Sequence, residues 1–244
     1  MISDRYVWLV WSLAFLVPWG LLAALAPAQR RPMLRASLFT APFGLTEPLF
    51  VPAYWSPPSL FDLARTTGFD VESVIFSFGI GGVAAVLYDA LARRRLVLIH
   101  PEHRTEPRHR FHRWALVAPP LVFVPLYLLP WNPIYAAVLA LVIGGTGALF
   151  CRPDLTGKSL ATGGLFLAYY TLFLVALEWS APGYIGRVWN LGVLSGILLG
   201  PLPIEELLFA AAFGMYWAGV YEHVTWTRGL AAAPAPAREV RPWR

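Results

Sequence analysis

The stretch Pro203-Ile204-Glu205-Glu206-Leu207-Leu208-Phe209 sets two adjacent carboxylates at the start of a long apolar helix. An earlier stretch, Asp70-Val71-Glu72-Ser73-Val74-Ile75-Phe76, repeats it without a gap. Glu72 corresponds to Glu205, Phe76 to Phe209, Gly81 to Gly214, Tyr88 to Tyr221 and Asp89 to Glu222, each 133 positions later. One helix has been used twice, with an acid near each end both times.

The surrounding composition is that of a multi-span membrane protein. Of the 244 residues, 57% are hydrophobic and 14% charged, against about a quarter charged in average soluble chains. Apolar runs of about 20 residues, the length that crosses a bilayer, recur throughout. The net charge of +5 comes from basic residues between those runs, so it reads as a membrane-orientation signal and not as a nucleic-acid surface. The single cysteine, Cys151, excludes an internal disulfide and a Cys-based metal cluster; it reads as a small residue at a helix end, and no metal is expected. Ala24-Leu25-Ala26 resembles a signal cleavage site, but Pro27 follows it directly, and the apolar stretch Tyr6–Ala26 is long for a signal peptide. A retained helix is expected.

Seven spans are expected, at about 6–26, 36–52, 71–91, 114–129, 134–150, 160–179 and 204–226. Arg-rich connections follow the odd-numbered spans, and those after the even-numbered ones are poor in Arg and Lys. That pattern predicts a protein integral to the cytoplasmic membrane, with its N-terminus outside and its C-terminus cytoplasmic. Residues 93–113 form the one strongly basic segment, with four of the five histidines, and read as a solvated cytoplasmic loop. The tail 228–244, rich in Ala, Pro and Arg, is expected to be disordered.

The repeat extends beyond the helix pair. Arg31-Pro32-Met33-Leu34 matches Arg152-Pro153-Asp154-Leu155, Glu47 answers Glu178, and Trp55 and Leu60 answer Trp189 and Leu194. The expected fold is therefore an all-α membrane protein of two parallel three-helix repeats, 1–92 and 131–227, joined by the basic loop and one linking helix over 93–130. Repeats of the same orientation are related by an axis along the membrane normal and surround one shared central space.

In that orientation Glu47, Glu72, Glu178, Glu205 and Glu206 all lie at the outer ends of their helices. Asp89 and Glu222, 17 residues further along, are about 25 Å away at 1.5 Å per residue and cannot join the same site. Glu205, Phe209 and Tyr216 share one helical face, as do Glu72, Phe76 and Gly79. A carboxyl with an aromatic ring one turn deeper suits an acid placed beside a site for a cation.

A purely structural role competes with this, since Asp70 is a good N-cap, Pro203 suits a first turn, and first-turn acids gain about 0.3–1 kcal/mol from the helix dipole. Burial and a like-charged neighbour can outweigh that term, and intramembrane acids are functional candidates by default. Trp55, Trp189, Trp179, Tyr54 and Tyr184 could stabilise a carbocation through their ring faces or form an interfacial belt, the commoner use of such residues. The Gly79–Gly82 and Gly144–Gly147 clusters lie inside spans and read as close-packing positions. The absence of paired Asp-rich motifs argues against a prenyltransferase. The only lysine, Lys158, falls in a connection by this reading, which excludes a retinal-type Schiff base within the bilayer.

The stretch from Pro203 to Phe209, with its weaker copy around Glu72, resembles the Pro-x-Glu-Glu-x-x-Phe-Phe signature of the membrane-integral lycopene cyclases, the heterodimeric bacterial type and its fused archaeal and fungal relatives. The resemblance covers nearly the whole chain. It implies a cofactor-independent, redox-neutral cyclisation in which a glutamic acid protonates the end of a linear carotene and a base later removes a proton. Carried over by position, Glu205 and Glu206 are the acid/base candidates and Glu72 their counterpart, with Glu47, Glu178, Phe76, Phe209, Tyr216, Trp55 and Trp189 as substrate-contacting candidates. This chain departs from the signature at Ala210, and its first copy has Ser73 for the second acid and Asp70 for the proline.

A lycopene-type cyclase is therefore the leading expectation, with a linear carotenoid or other isoprenoid and the lipid bilayer as partners. The alternatives are a non-catalytic carotenoid- or isoprenoid-binding membrane protein, alone as a homo-oligomer or in a pigment complex, and a proton-coupled transporter.

Overall fold

The computed structural model describes residues 3–231, and these are mostly helical. Helices α1 (Asp4–Ala14) and α2 (Leu16–Leu25) form one apolar rod interrupted at Phe15. Pro18 accounts for the interruption, because it has no N–H for the Ala14 carbonyl and its ring crowds that group. Helix α3 (Arg30–Thr40) tightens into a 3-10 segment, Ala41–Leu49, where Pro42 and Pro48 remove backbone donors. Then come α4 (Leu63–Thr67), α5 (Val71–Leu91), β1 (Arg94–Leu98), α6 (Pro101–Arg104), a 3-10 turn at Pro107–Phe111, and α7 (His112–Tyr127). The second half comprises α8 (Pro133–Cys151), α9 (Thr156–Ser180), α10 (Tyr184–Val188), the short strands β2 (Leu198–Leu199) and β3 (Leu202–Pro203), α11 (Ile204–Thr225) and β4 (Thr227–Ala231).

Among the described residues, four stretches are long and apolar enough to cross a membrane: Asp4–Leu25, Val71–Leu91, Pro133–Cys151 and Pro153–Ser180. The other three segments expected to span are helical but differ in kind. Helix α11 carries Glu205, Glu206, Glu222 and His223; α7 has 16 residues, with Pro119, Pro120 and Pro125 inside it; and the second segment is divided between α3 and the 3-10 helix.

Helices α5 and α11 pack against each other, α5 also taking α3 as a neighbour and α11 taking α9. The corresponding glycines make these contacts close. A Cβ on Gly81 would overlap the Thr40 side chain of α3, and one on Gly214 would lie 2.7 Å from Phe166 Cβ and 2.9 Å from the Thr162 carbonyl of α9. Both positions exclude any larger residue, as close helix packing requires.

The chain is bridged at both ends of this pair. Strands β1 and β4 are antiparallel, with Arg94 opposite Ala231, Leu96 opposite Gly229 and Leu98 opposite Thr227. The strands occupy positions 133 residues apart, and exchanging them maps this register onto itself. At the other end Trp55 and Trp189 form an antiparallel bridge, in which Ser56 N donates to Val188 O (2.8 Å) and Asn190 N to Tyr54 O (2.9 Å).

Three sequence expectations need correction. The tail does not become irregular at residue 228, because β4 continues to Ala231 by pairing with β1; residues 232–244 of that expectation lie outside the described residues. The basic segment is partly structured, and His109 and His112 are buried against the C-terminal end of α8 by hydrogen-bonded contact with Cys151. Lys158 lies within α9, 4% exposed, and reaches Asp89 Oδ2 (2.7 Å) and the Glu222 carboxylate. A lysine can be buried this way only because two acids meet it there.

Candidate functional site

The acids expected at one end of the helices occupy four different settings. Asp70 caps α5 as expected, accepting from Ser73 N at 2.5 Å, and this places Glu72 in the first turn. The β2–β3 turn leads through Pro203 into α11 and sets Glu205 and Glu206 in its first turn.

Glu206 is 5% exposed and fully engaged. Its Oε1 accepts from Tyr54 Oη (2.5 Å) and Trp189 Nε1 (2.7 Å), and its Oε2 from Tyr170 Oη (2.8 Å). Three donors converge on one carboxyl from three separate segments and fix it in place. Glu47, half-buried, accepts from Trp55 Nε1 (3.0 Å) and Ser73 Oγ (2.7 Å). The indoles of Trp55 and Trp189, 5.2 Å apart, join these two groups. Both indoles are buried hydrogen-bond donors and not members of an interfacial belt, whereas Trp179 is 85% exposed, as a belt residue would be.

Glu205 differs from its neighbour. One oxygen accepts from Tyr135 Oη (2.9 Å) and Ser195 N (2.8 Å), while Oε2 is buried without a partner. Glu205 also lines an open groove of about 440 Å³ with Trp131, Tyr135, Val138, Leu139 and Leu208, apolar but for this carboxyl and the tyrosine hydroxyl. Glu72 is fully buried, accepts from Leu60 N (2.6 Å), and also has one carboxyl oxygen without a partner.

The aromatic candidates separate by depth. Phe76 lies between Trp8 and Tyr170, with centroids at 5.1 and 6.1 Å. Phe209 contacts Tyr170 at 6.4 Å and stacks on Phe213 at 5.7 Å. Together they form an aromatic bed below the Glu206 cluster. Tyr216 is apart from it, donating to the Leu116 carbonyl of α7 (2.7 Å), which is a helix-joining contact. Glu178 is also outside the cluster. It accepts from Gly183 N (2.5 Å) and Ile185 N (3.0 Å), so it caps the start of α10.

Tyr170, Tyr135 and Ser195 were not among the sequence candidates. Nothing local marks them: Tyr170 is 36 and Tyr135 70 positions from the glutamate each one touches.

A buried charged group sits at the opposite end of α5 and α11. Asp89 and Glu222, 133 positions apart, flank Lys158 from two helices. As the helix rise required, they are separate from the glutamate cluster.

This is a set of partners suited to proton chemistry beside an apolar surface. One carboxyl is immobilised by three donors, and the next has an unpartnered oxygen and lines an open apolar groove. Comparison with curated proteins and with solved structures gives no match. Residues 132–224, which span α8 to nearly the end of α11 and include Glu205 and Glu206, match the family model described as lycopene cyclase.

Proposed function

We propose that this protein is a carotenoid cyclase that isomerises the end of a linear, lycopene-type carotene within the membrane. The observation that carries the reading is Glu205: a buried carboxyl with one oxygen free of hydrogen bonds, lining an apolar groove inside the segment that matches the family. In its acid form Glu205 gives its proton to the terminal carbon–carbon double bond. The nearby internal double bond attacks the resulting cation and closes the ring, and loss of a ring proton to a carboxylate restores neutrality and leaves a new double bond. One proton is added and one removed, so the product is an isomer and the chemistry needs neither oxidant nor reductant.

Glu206 is the fixed carboxylate beside this centre. Held by Tyr54, Trp189 and Tyr170, it anchors the first turn of α11, which presents Glu205 to the groove. The rings of Trp131 and Tyr135, which line the groove, offer further cation stabilisation, about 0.5–2 kcal/mol per well-placed ring. Glu72, with its own unpartnered oxygen, is the counterpart in the first half.

The reading includes a seven-span arrangement of two like-oriented repeats, with domains 1–92 and 131–227, the N-terminus outside and the C-terminus cytoplasmic. The self-mapping β1–β4 register, the Trp55–Trp189 bridge and the matched contacts of Gly81 and Gly214 support it. A homo-oligomer is compatible with it.

Deuterium labelling tests the reaction. Protein in liposomes containing linear carotene, incubated in heavy water, is expected to give cyclic product with a single deuterium per new ring. Pigment that is bound but recovered linear would replace the cyclase with a carotenoid-binding protein.

A further inference from the structure

Away from the glutamates, His109, His112 and Cys151 meet at the start of α7 and the end of α8. All three are buried (9%, 8% and 4% exposed), and their ligand-capable atoms lie within 4.8 Å of one another. His109 Nδ1 is 3.4 Å and His112 Nδ1 3.3 Å from Cys151 Sγ. Around a tetrahedral zinc ion, with bonds of about 2.3 Å to sulfur and 2.0–2.1 Å to nitrogen, the sulfur and nitrogen ligands stand about 3.5 Å apart. The two N···S edges of such a site are therefore already formed, and ring movement that draws the two imidazoles together completes the third edge.

A second observation points the same way. His112 Nε2 lies 2.9 Å from the His223 carbonyl, which can only accept, so Nε2 carries the proton and Nδ1 turns its lone pair toward Cys151. Fixing the tautomer by donating the remote N–H to a carbonyl is the outer-shell arrangement of metal-binding histidines. The ring plane is held as well, since His112 stacks on Trp226 at 4.0 Å and on His223 at 5.1 Å.

We propose that His109, His112 and Cys151 bind one Zn²⁺ ion, with three protein ligands and a fourth position for water. The ion would pin the segment before α7 to the end of α8, across 42 and 39 positions of chain. It lies next to the end of α11, through His223 and Trp226, and it takes no part in the chemistry proposed for the glutamates.

The test uses the full chain purified in detergent without chelators. Elemental analysis is expected to find one zinc per chain, and exchange with Co²⁺ is expected to give a thiolate-to-cobalt charge-transfer band. Cys151→Ser, close in size to the native residue, should remove that band and weaken zinc binding at least tenfold, as should His112→Ala. His103→Ala, at an exposed histidine of the same segment, should change neither. Folded protein that takes up no stoichiometric zinc, or cobalt binding that survives Cys151→Ser with its spectrum intact, would overturn the proposal.

Discussion

Glu205 and Glu206 are adjacent in the chain, yet only Glu205 faces the groove. Glu206 turns inward, with both oxygens taken up by Tyr54, Trp189 and Tyr170, while Glu205 retains an oxygen with no partner. The first turn of a helix points successive side chains about 100° apart, and this sends one of two identical residues into a closed set of donors and the other to the groove.

The Glu206 cluster should contribute to stability as well as to chemistry. Leaving a buried acceptor without its donor costs about 1–3 kcal/mol. Tyr54→Phe and Tyr170→Phe should each lower the unfolding free energy in detergent by that order. The double variant should depart from additivity, because both donors serve one carboxyl. Strictly additive losses in thermal unfolding would mean that the two tyrosines act separately.

Lys158 is expected to be the residue least tolerant of neutralisation. Removing it leaves Asp89 and Glu222 buried and facing each other, and breaking a buried pair costs about 3–5 kcal/mol. Lys158→Met should therefore yield poorly folded protein. Adding Asp89→Asn and Glu222→Gln should recover much of the loss, read as monodisperse protein by size-exclusion chromatography.

Gly81 and Gly214 should be equally restrictive although they lie in different halves. Gly81→Val and Gly214→Val push side chains into Thr40 and Phe166, and overpacking of this kind costs about 1–3 kcal/mol or more. Gly147→Ala, at a position with open space around it, should be close to neutral. Comparing the three melting temperatures checks whether the paired glycines set the helix spacing.

What the sequence made legible was local and periodic. The repeated acid-and-aromatic pattern located α5 and α11, Asp70 was readable as a cap, and the glycine clusters inside spans were readable as close-packing positions. The hydrogen-bond donors of the glutamates were not, because Tyr170 and Tyr135 reach them across long separations and resemble any other tyrosine in an apolar helix. Lys158 was placed outside its helix because hydropathy counts a lysine as a boundary, and the two acids that make its burial tolerable come from other helices. The same limit hid His109 and His112, whose neighbour Cys151 lies in another helix. Glu178 and Tyr216 shared the expected helix end and helix face, but their backbone partners, in the turn before α10 and in α7, are visible only in three dimensions.

The most direct test of the central claim is pigment analysis of cells that make linear carotene and express either this protein or its Glu205→Gln variant. The account predicts cyclic carotene with the native protein and a loss of about 10²-fold or more with the variant, the scale on which a positioned proton donor contributes, at equal membrane abundance. Ring formation that persists in Glu205→Gln would contradict it.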